Sequence, residues 1–206
     1  MMTHELGHIH HFIPASGDDG AVLLLLHGTG GDENDLVPLG RMLRPGAAIL
    51  SPRGNVLEHG MPRFFRRLAE GIFDLEDLAK RTDDLGAFID GAVTKYGIDR
   101  DKLIAVGFSN GANVAASLML RHPGTLQRAM LLSPMVPFEP KTKPTLEGTR
   151  VFIGAGRNDP IAPPSQAERL AQLFRDAGAD VATFFHGSGH TLTDDELAAA
   201  KKWISN

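Results

Sequence analysis

The sequence predicts an α/β domain in which one mostly parallel sheet has helices on both faces. Three observations predict it. Short apolar runs alternate with longer segments whose apolar residues recur every three or four positions, the alternation that builds strand–crossover–strand units. The run Val22–Leu26 is apolar at every position, as expected of a strand buried on both sides. A chain of 206 residues, 42% hydrophobic and 22% charged, suits one domain whose core needs no covalent staple.

The elements follow in order. Ile9–Ile13, Val22–Leu26, Ala47–Leu50, Leu103–Val106, Ala129–Leu132, Val151–Ile153 and Val181–Phe185 are short, and several end in Gly, Pro or Ser, so they read as strands. Arg53–Glu70 fits the alternation least and is expected as an inserted lip within the single domain 1–206. Leu75, Leu78, Thr82, Leu85, Phe88, Ala92, Val93 and Tyr96 share one helical face, and Gly97 stops that helix. Asn113–Leu120 is a second helix, closed before Pro123. Pro134–Gly148 is a Pro- and Lys-rich loop, and Ser165–Ala177, followed by Gly178, is a third helix. The last helix opens at Thr193, with Glu196 three residues on as a capping box ahead of Ala198, Ala199 and Trp203.

Composition excludes several functions. Net charge is −4, with 21 basic and 25 acidic residues well mixed, so no basic face for nucleic acid is expected. No cysteine is present, which removes disulfides, thiolate nucleophiles and Cys-ligated metals. The longest apolar run, Ala21–Leu26, has six residues against the ~20 of a membrane span. The polar, His-rich start lacks the pattern of a secretory signal, so the expected compartment is the cytoplasm, with no membrane partner. Exposed terminal strands leave a homodimer open in principle.

The strongest chemical signal is Gly107-Phe108-Ser109-Asn110-Gly111, set between the strand Leu103–Val106 and a helix. This G-x-S-x-G strand–turn–helix lifts a serine hydroxyl above the sheet edge, and flanking glycines avoid collisions in the turn. The hydroxyl needs a base, and the base needs an orienting acid. Asp159 and His190 follow at the ends of successive strands, in the chain order this arrangement uses, at the carboxyl edge where such sheets place their sites. Asp180 precedes its strand, and Asp194 belongs to the first turn of the last helix. His186 ends a strand and is expected to pack, whereas His190 follows Gly187 and Gly189 on a loop able to bend back. Backbone N–H groups of Thr29, in His27-Gly28-Thr29-Gly30-Gly31, and of Asn110 are the expected oxyanion donors. His27 is expected to shape that loop.

Other motifs are weaker. The glycine loop lacks the Gly-Lys-Ser/Thr ending of a phosphate loop, and Gly154-x-Gly156 lacks the third glycine of a dinucleotide site. His4-Glu5-Leu6-Gly7-His8 matches the zinc-protease pattern but sits at the chain start, contains a glycine and runs into a strand, so no metal and no cofactor are expected. A solvated edge strand is expected for His8, His10 and His11. Met61, Phe64, Phe65 and Phe73 are candidate substrate-pocket residues with arginines at the rim; core packing is the competing reading.

Together, Leu26–Asp35, Gly107–Gly111, Gly154–Pro160 and Gly187–His190 resemble the phospholipase/carboxylesterase family of α/β-hydrolases, which includes bacterial carboxylesterases and acyl-protein thioesterases. Arg63–Arg67 with Gly71–Asp74 looks like a subgroup of small bacterial hydrolases linked to hydroquinone resistance. The resemblance spans roughly His8 to Trp203 and implies the α/β-hydrolase fold, Ser109, Asp159 and His190 as a triad, Thr29 and Asn110 as donors, and a small-molecule ester as substrate. Members often have Gln after the nucleophile and Leu in the oxyanion loop, where this chain has Asn110 and Thr29. Without a long apolar lid, short or medium acyl chains are expected. Thioesters and lysophospholipids are the rival substrates, and a binding protein that has lost catalysis is the rival class.

Overall fold

The computed structural model describes residues 6–18 and 20–205. The chain runs β1 (His10–Ile13), β2 (Val22–Leu26), α1 (Val37–Leu43), β3 (Ala48–Pro52), β4 (Val56–Glu58), β5 (Met61–Arg63), β6 (Arg67–Ala69), β7 (Ile72–Phe73) and α2 (Leu75–Tyr96). There follow β8 (Leu103–Phe108), α3 (Asn110–Arg121), β9 (Arg128–Leu132), β10 (Arg150–Gly156), α4 (Pro164–Asp176), β11 (Asp180–His186) and α5 (Asp194–Ile204). Seven strands form one sheet in the order β1-β3-β2-β8-β9-β10-β11. Only β1 is antiparallel, pairing His10 with Pro52. β2 is flanked in parallel by β3 and β8, with Leu26 opposite Gly107.

The all-apolar β2 shows why both faces must be covered. Leu24 and Leu26 pack toward Leu78, Leu85 and Phe88 of α2, Leu118 of α3, and Leu170 and Phe174 of α4. Leu23 and Leu25 pack toward Leu39 and Leu43 of α1 and Trp203 and Ile204 of α5. Successive strand residues point to opposite sides, so one helix layer would leave half of β2 wet. Helix α2 begins at Asp74, whose carboxylate accepts from Asp77 N–H at 3.1 Å. It ends on Gly97, left-handed at φ 63°. No described helix is long and apolar enough to cross a membrane.

Four local expectations need correction or extension. Helix α1 was not anticipated, because seven residues are too few for a periodic signal. Helix α3 starts at Asn110, directly after the serine, since burial of the whole helix outweighs the poor propensity of Gly111. Two of the three N-terminal histidines are not solvated: His8, just before β1, and His10 are buried, and the His10 ring meets Tyr96 Oη at 2.8 Å, whereas His11 is only half-buried and meets Asn34 Oδ1 at 2.8 Å. The N-terminal strand lies under the end of α2, with His10 edge-on to Phe88, while the His4 and Glu5 half of the zinc-like motif lies outside the described residues. The capping box is only half made: Thr193 accepts from Glu196 N–H at 3.3 Å, but the Glu196 side chain turns into the interior.

Candidate active site

Ser109 occupies the point where β8 becomes α3. Its backbone is at φ 52° and ψ −113°, a conformation costly for a residue with a side chain. The surroundings hold it there. Ser109 N–H donates to Leu132 O at 2.8 Å, and Ser109 O accepts from Asn113 N–H at 2.9 Å. The flanking glycines are required by space: a Cβ on Gly107 would lie 2.7 Å from the Gly111 carbonyl, and one on Gly111 would be driven into Leu26 O.

Asp159 and His190 come from the loops after β10 and β11. His190 Nε2 is 2.9 Å from Ser109 Oγ, and Nδ1 is 2.6 Å from Asp159 Oδ2. The second Asp159 oxygen accepts from Ile161 and Ala162 N–H at 2.8 and 2.9 Å, so the buried carboxylate has donors on both oxygens. Because Asp159 only accepts, Nδ1 bears the proton and the Nε2 lone pair faces the serine. Phe108 flanks the imidazole, with ring centroids 5.2 Å apart. Asp180 lies at the opposite end of β11, beside Arg150, and Asp194 opens α5, so neither reaches the imidazole.

The loop after β2 brings Thr29 to the same place. Among the described residues, neither Thr29 N–H nor Asn110 N–H is engaged by another group. The segment between β3 and α2 braces both. It folds as two hairpins, β4–β5 and β6–β7. Pro62 O accepts from Gly30 N–H at 2.9 Å, Arg63 Nη1 donates to Thr29 Oγ1 at 2.8 Å, and Phe64 N–H donates to Asn110 Oδ1 at 2.7 Å. His27 ties in the base of the segment: its Nδ1 meets Gly28 O at 2.6 Å and its Nε2 accepts from Gly54 N–H at 3.0 Å. Burial lowers the His27 pKa, which favours the neutral ring this double role needs. Beneath the loop, buried Glu33 takes a bidentate contact from Arg53 at 2.5 and 2.7 Å, which holds its carboxyl below the usual range.

A cleft of about 390 Å³ opens over Ser109, lined among others by Thr29, Arg67, Phe73, Met135, Ile161 and His190. Phe73 is thus in the wall. Phe64 and Phe65 are not: both are core, at 2% and 0% exposure, because the link between the two hairpins turns inward to join the cluster of α2 and α3. Met61 is exposed beside Gly30, outside the cleft lining. Arg63 is not at a solvated rim either. It is 3% exposed and ion-paired to Glu58 at 3.1 Å.

A buried pair lies behind the Ser109–His190–Asp159 cluster. Ser188 N–H donates to His186 Nδ1 at 3.2 Å, so Nε2 bears the proton and points at Glu196, 3.6 Å away. That separation is too long for a hydrogen bond, and both Glu196 oxygens lack one. Burial pushes the Glu196 carboxyl up to about 7. A Cβ on Gly154 would strike the same carboxyl, so the glycine there makes room for an acid rather than for a nucleotide.

Comparison with known proteins agrees with this architecture. The family model described as "Phospholipase/Carboxylesterase" matches residues 9–206. The putative hydrolase MhqD of Bacillus subtilis is 48% identical over 187 residues, covering 91% of this chain and 94% of that protein. The crystal structure of the Bacillus cereus carboxylesterase superposes with a TM-score of 0.93 at 48% identity, covering 96% of this chain and 93% of that one. Acyl-protein thioesterase 1 of Debaryomyces hansenii is 25% identical over 176 residues, 82% of this chain and 72% of that protein. A parallel sheet clad on both faces, a serine at the β8–α3 turn and these likenesses agree: the chain belongs to the phospholipase/carboxylesterase family and is a hydrolase of the α/β-hydrolase fold.

Proposed function

We propose that the protein is a serine carboxylesterase for small esters of short or medium acyl chain, with Ser109, His190 and Asp159 as its triad. The observation behind it is the unbroken relay of 2.9 and 2.6 Å from Ser109 through His190 to Asp159, facing two free amide donors. His190 Nε2 takes the Ser109 proton as Oγ attacks the ester carbonyl. Asp159 holds the ring and stabilises the imidazolium. Thr29 and Asn110 N–H donate to the oxyanion, each worth ~3–4 kcal/mol of transition-state stabilisation. The imidazolium returns its proton to the leaving alcohol, and the acyl-Ser109 ester is then hydrolysed by a water that His190 deprotonates.

The cleft volume suits a small substrate. Thioesters are the second reading, favoured by the acyl-protein thioesterase relatives; kcat/KM for matched aryl esters and acyl-thioesters separates the two. The test of the proposal is Ser109→Ala. It is expected to lose nearly all p-nitrophenyl ester turnover and all fluorophosphonate labelling while circular dichroism stays unchanged. Full turnover in a folded Ser109→Ala protein refutes it.

A further inference from the structure

We infer that the preferred substrate carries a carboxylate in addition to its ester, bound by the Arg67 guanidinium in the cleft wall; this rests on Ser109 acting as proposed. The starting point is a charge imbalance. Glu58 offers one carboxylate to two guanidiniums: Arg67 Nε donates to Oε1 at 2.9 Å, and Arg63 Nε lies 3.1 Å from Oε2. The cluster therefore holds one positive charge more than its anion cancels.

The two arginines use their donors differently. Arg63 is buried and committed, with Nη1 on Thr29 and Nε also directed at Phe65 O. Arg67 spends only Nε. Its two terminal amino groups have no hydrogen-bond partner among the described residues, its side chain is 28% exposed, and it lines the cleft together with Ser109. A half-used guanidinium presents parallel N–H donors in the spacing that a carboxylate accepts. Asp35 and Glu70 also line the cleft but stand exposed, where water and salt screen them. Arg67 is less exposed than either of them, and the Glu58 carboxylate that it holds is shared with buried Arg63, so its charge is screened less. Pairing also matters for the chemistry, since an unpaired substrate carboxylate would repel the developing oxyanion.

The test compares charged and neutral partners of like shape. On the acyl side these are mono-p-nitrophenyl glutarate and p-nitrophenyl 5-methylhexanoate; on the alcohol side, 4-acetoxybenzoate and its methyl ester. In Arg67→Met the charged-to-neutral ratio of kcat/KM is expected to fall about tenfold or more in at least one pair, with Arg67→Lys intermediate. Using the change on mutation cancels the intrinsic reactivity of each ester. Ratios that move less than about twofold in both pairs overturn the inference and leave the esterase reading standing. If wild type turns over neither member of either pair, the esterase reading falls and this one with it. Should Arg67→Met fail to fold, wild-type inhibition decides. Glutarate should inhibit at least about tenfold better than glutaramide and weaken with added salt, and equal inhibition by the two refutes carboxylate recognition.

Discussion

The serine backbone at φ 52° is held by its neighbours, and the imidazole tautomer is held by Asp159. Asp159→Asn tests the second point directly. The amide still fits, but it favours the tautomer with the proton on Nε2, leaving no lone pair for the serine. A fall in kcat of ~10³–10⁴ with an unchanged melting curve is expected. A variant within tenfold of wild type would show that His190 does not depend on this partner. Both residues were readable from motif order and strand ends. Phe64 and Phe65 were not separable from Phe73, since apolar side chains scattered through one short segment give no periodic clue to which face inward. Arg63 was harder still. A buried arginine makes sense only once Glu58 and Thr29 are seen beside it.

Among the elements, the sheet strands were legible as short apolar runs bounded by turn residues, and α2 to α5 from helical periodicity or from the residues that cap and stop them. The two hairpins were not, since strands of two or three residues carry no alternation. Yet they brace the oxyanion loop through Pro62, Arg63 and Phe64. Their tie to the following helix is Asp74, which caps α2 and also pairs with Arg66 at 2.7 Å. Asp74→Ala should lower the urea midpoint, because one N-terminal amide of α2 loses its acceptor. Urea unfolding measures it, and an unchanged midpoint would remove the cap from the account.

For the whole molecule, the feature with a global readout is Glu196, behind the Ser109–His190–Asp159 cluster. Its folded pKa of about 7 lies above the ordinary 4.5, so the native state holds a proton that the unfolded chain gives up. The resulting stability is complete below about 4.5 and is lost as pH rises through about 7, a change on the order of 3 kcal/mol. Glu196→Gln is neutral at every pH and should remove that decline. The difference between wild-type and variant urea midpoints should therefore grow from pH 4.5 to 8 in favour of the variant. A constant difference would mean that the carboxyl titrates normally.

The sequence alone determined the sheet class, helices α2 to α5 and the chain order of the candidate serine, acid and base. These depend on periodicity and on residue types at turns, both local in the chain. Only the tertiary structure decided that His8 and His10 are buried, that Glu196 turns inward beneath Gly154, and that one carboxylate serves Arg63 and Arg67. Burial and ionic partnership join residues distant along the chain. Their free energies depend on the local dielectric and on which donors remain unused, and no spacing along the chain encodes either quantity.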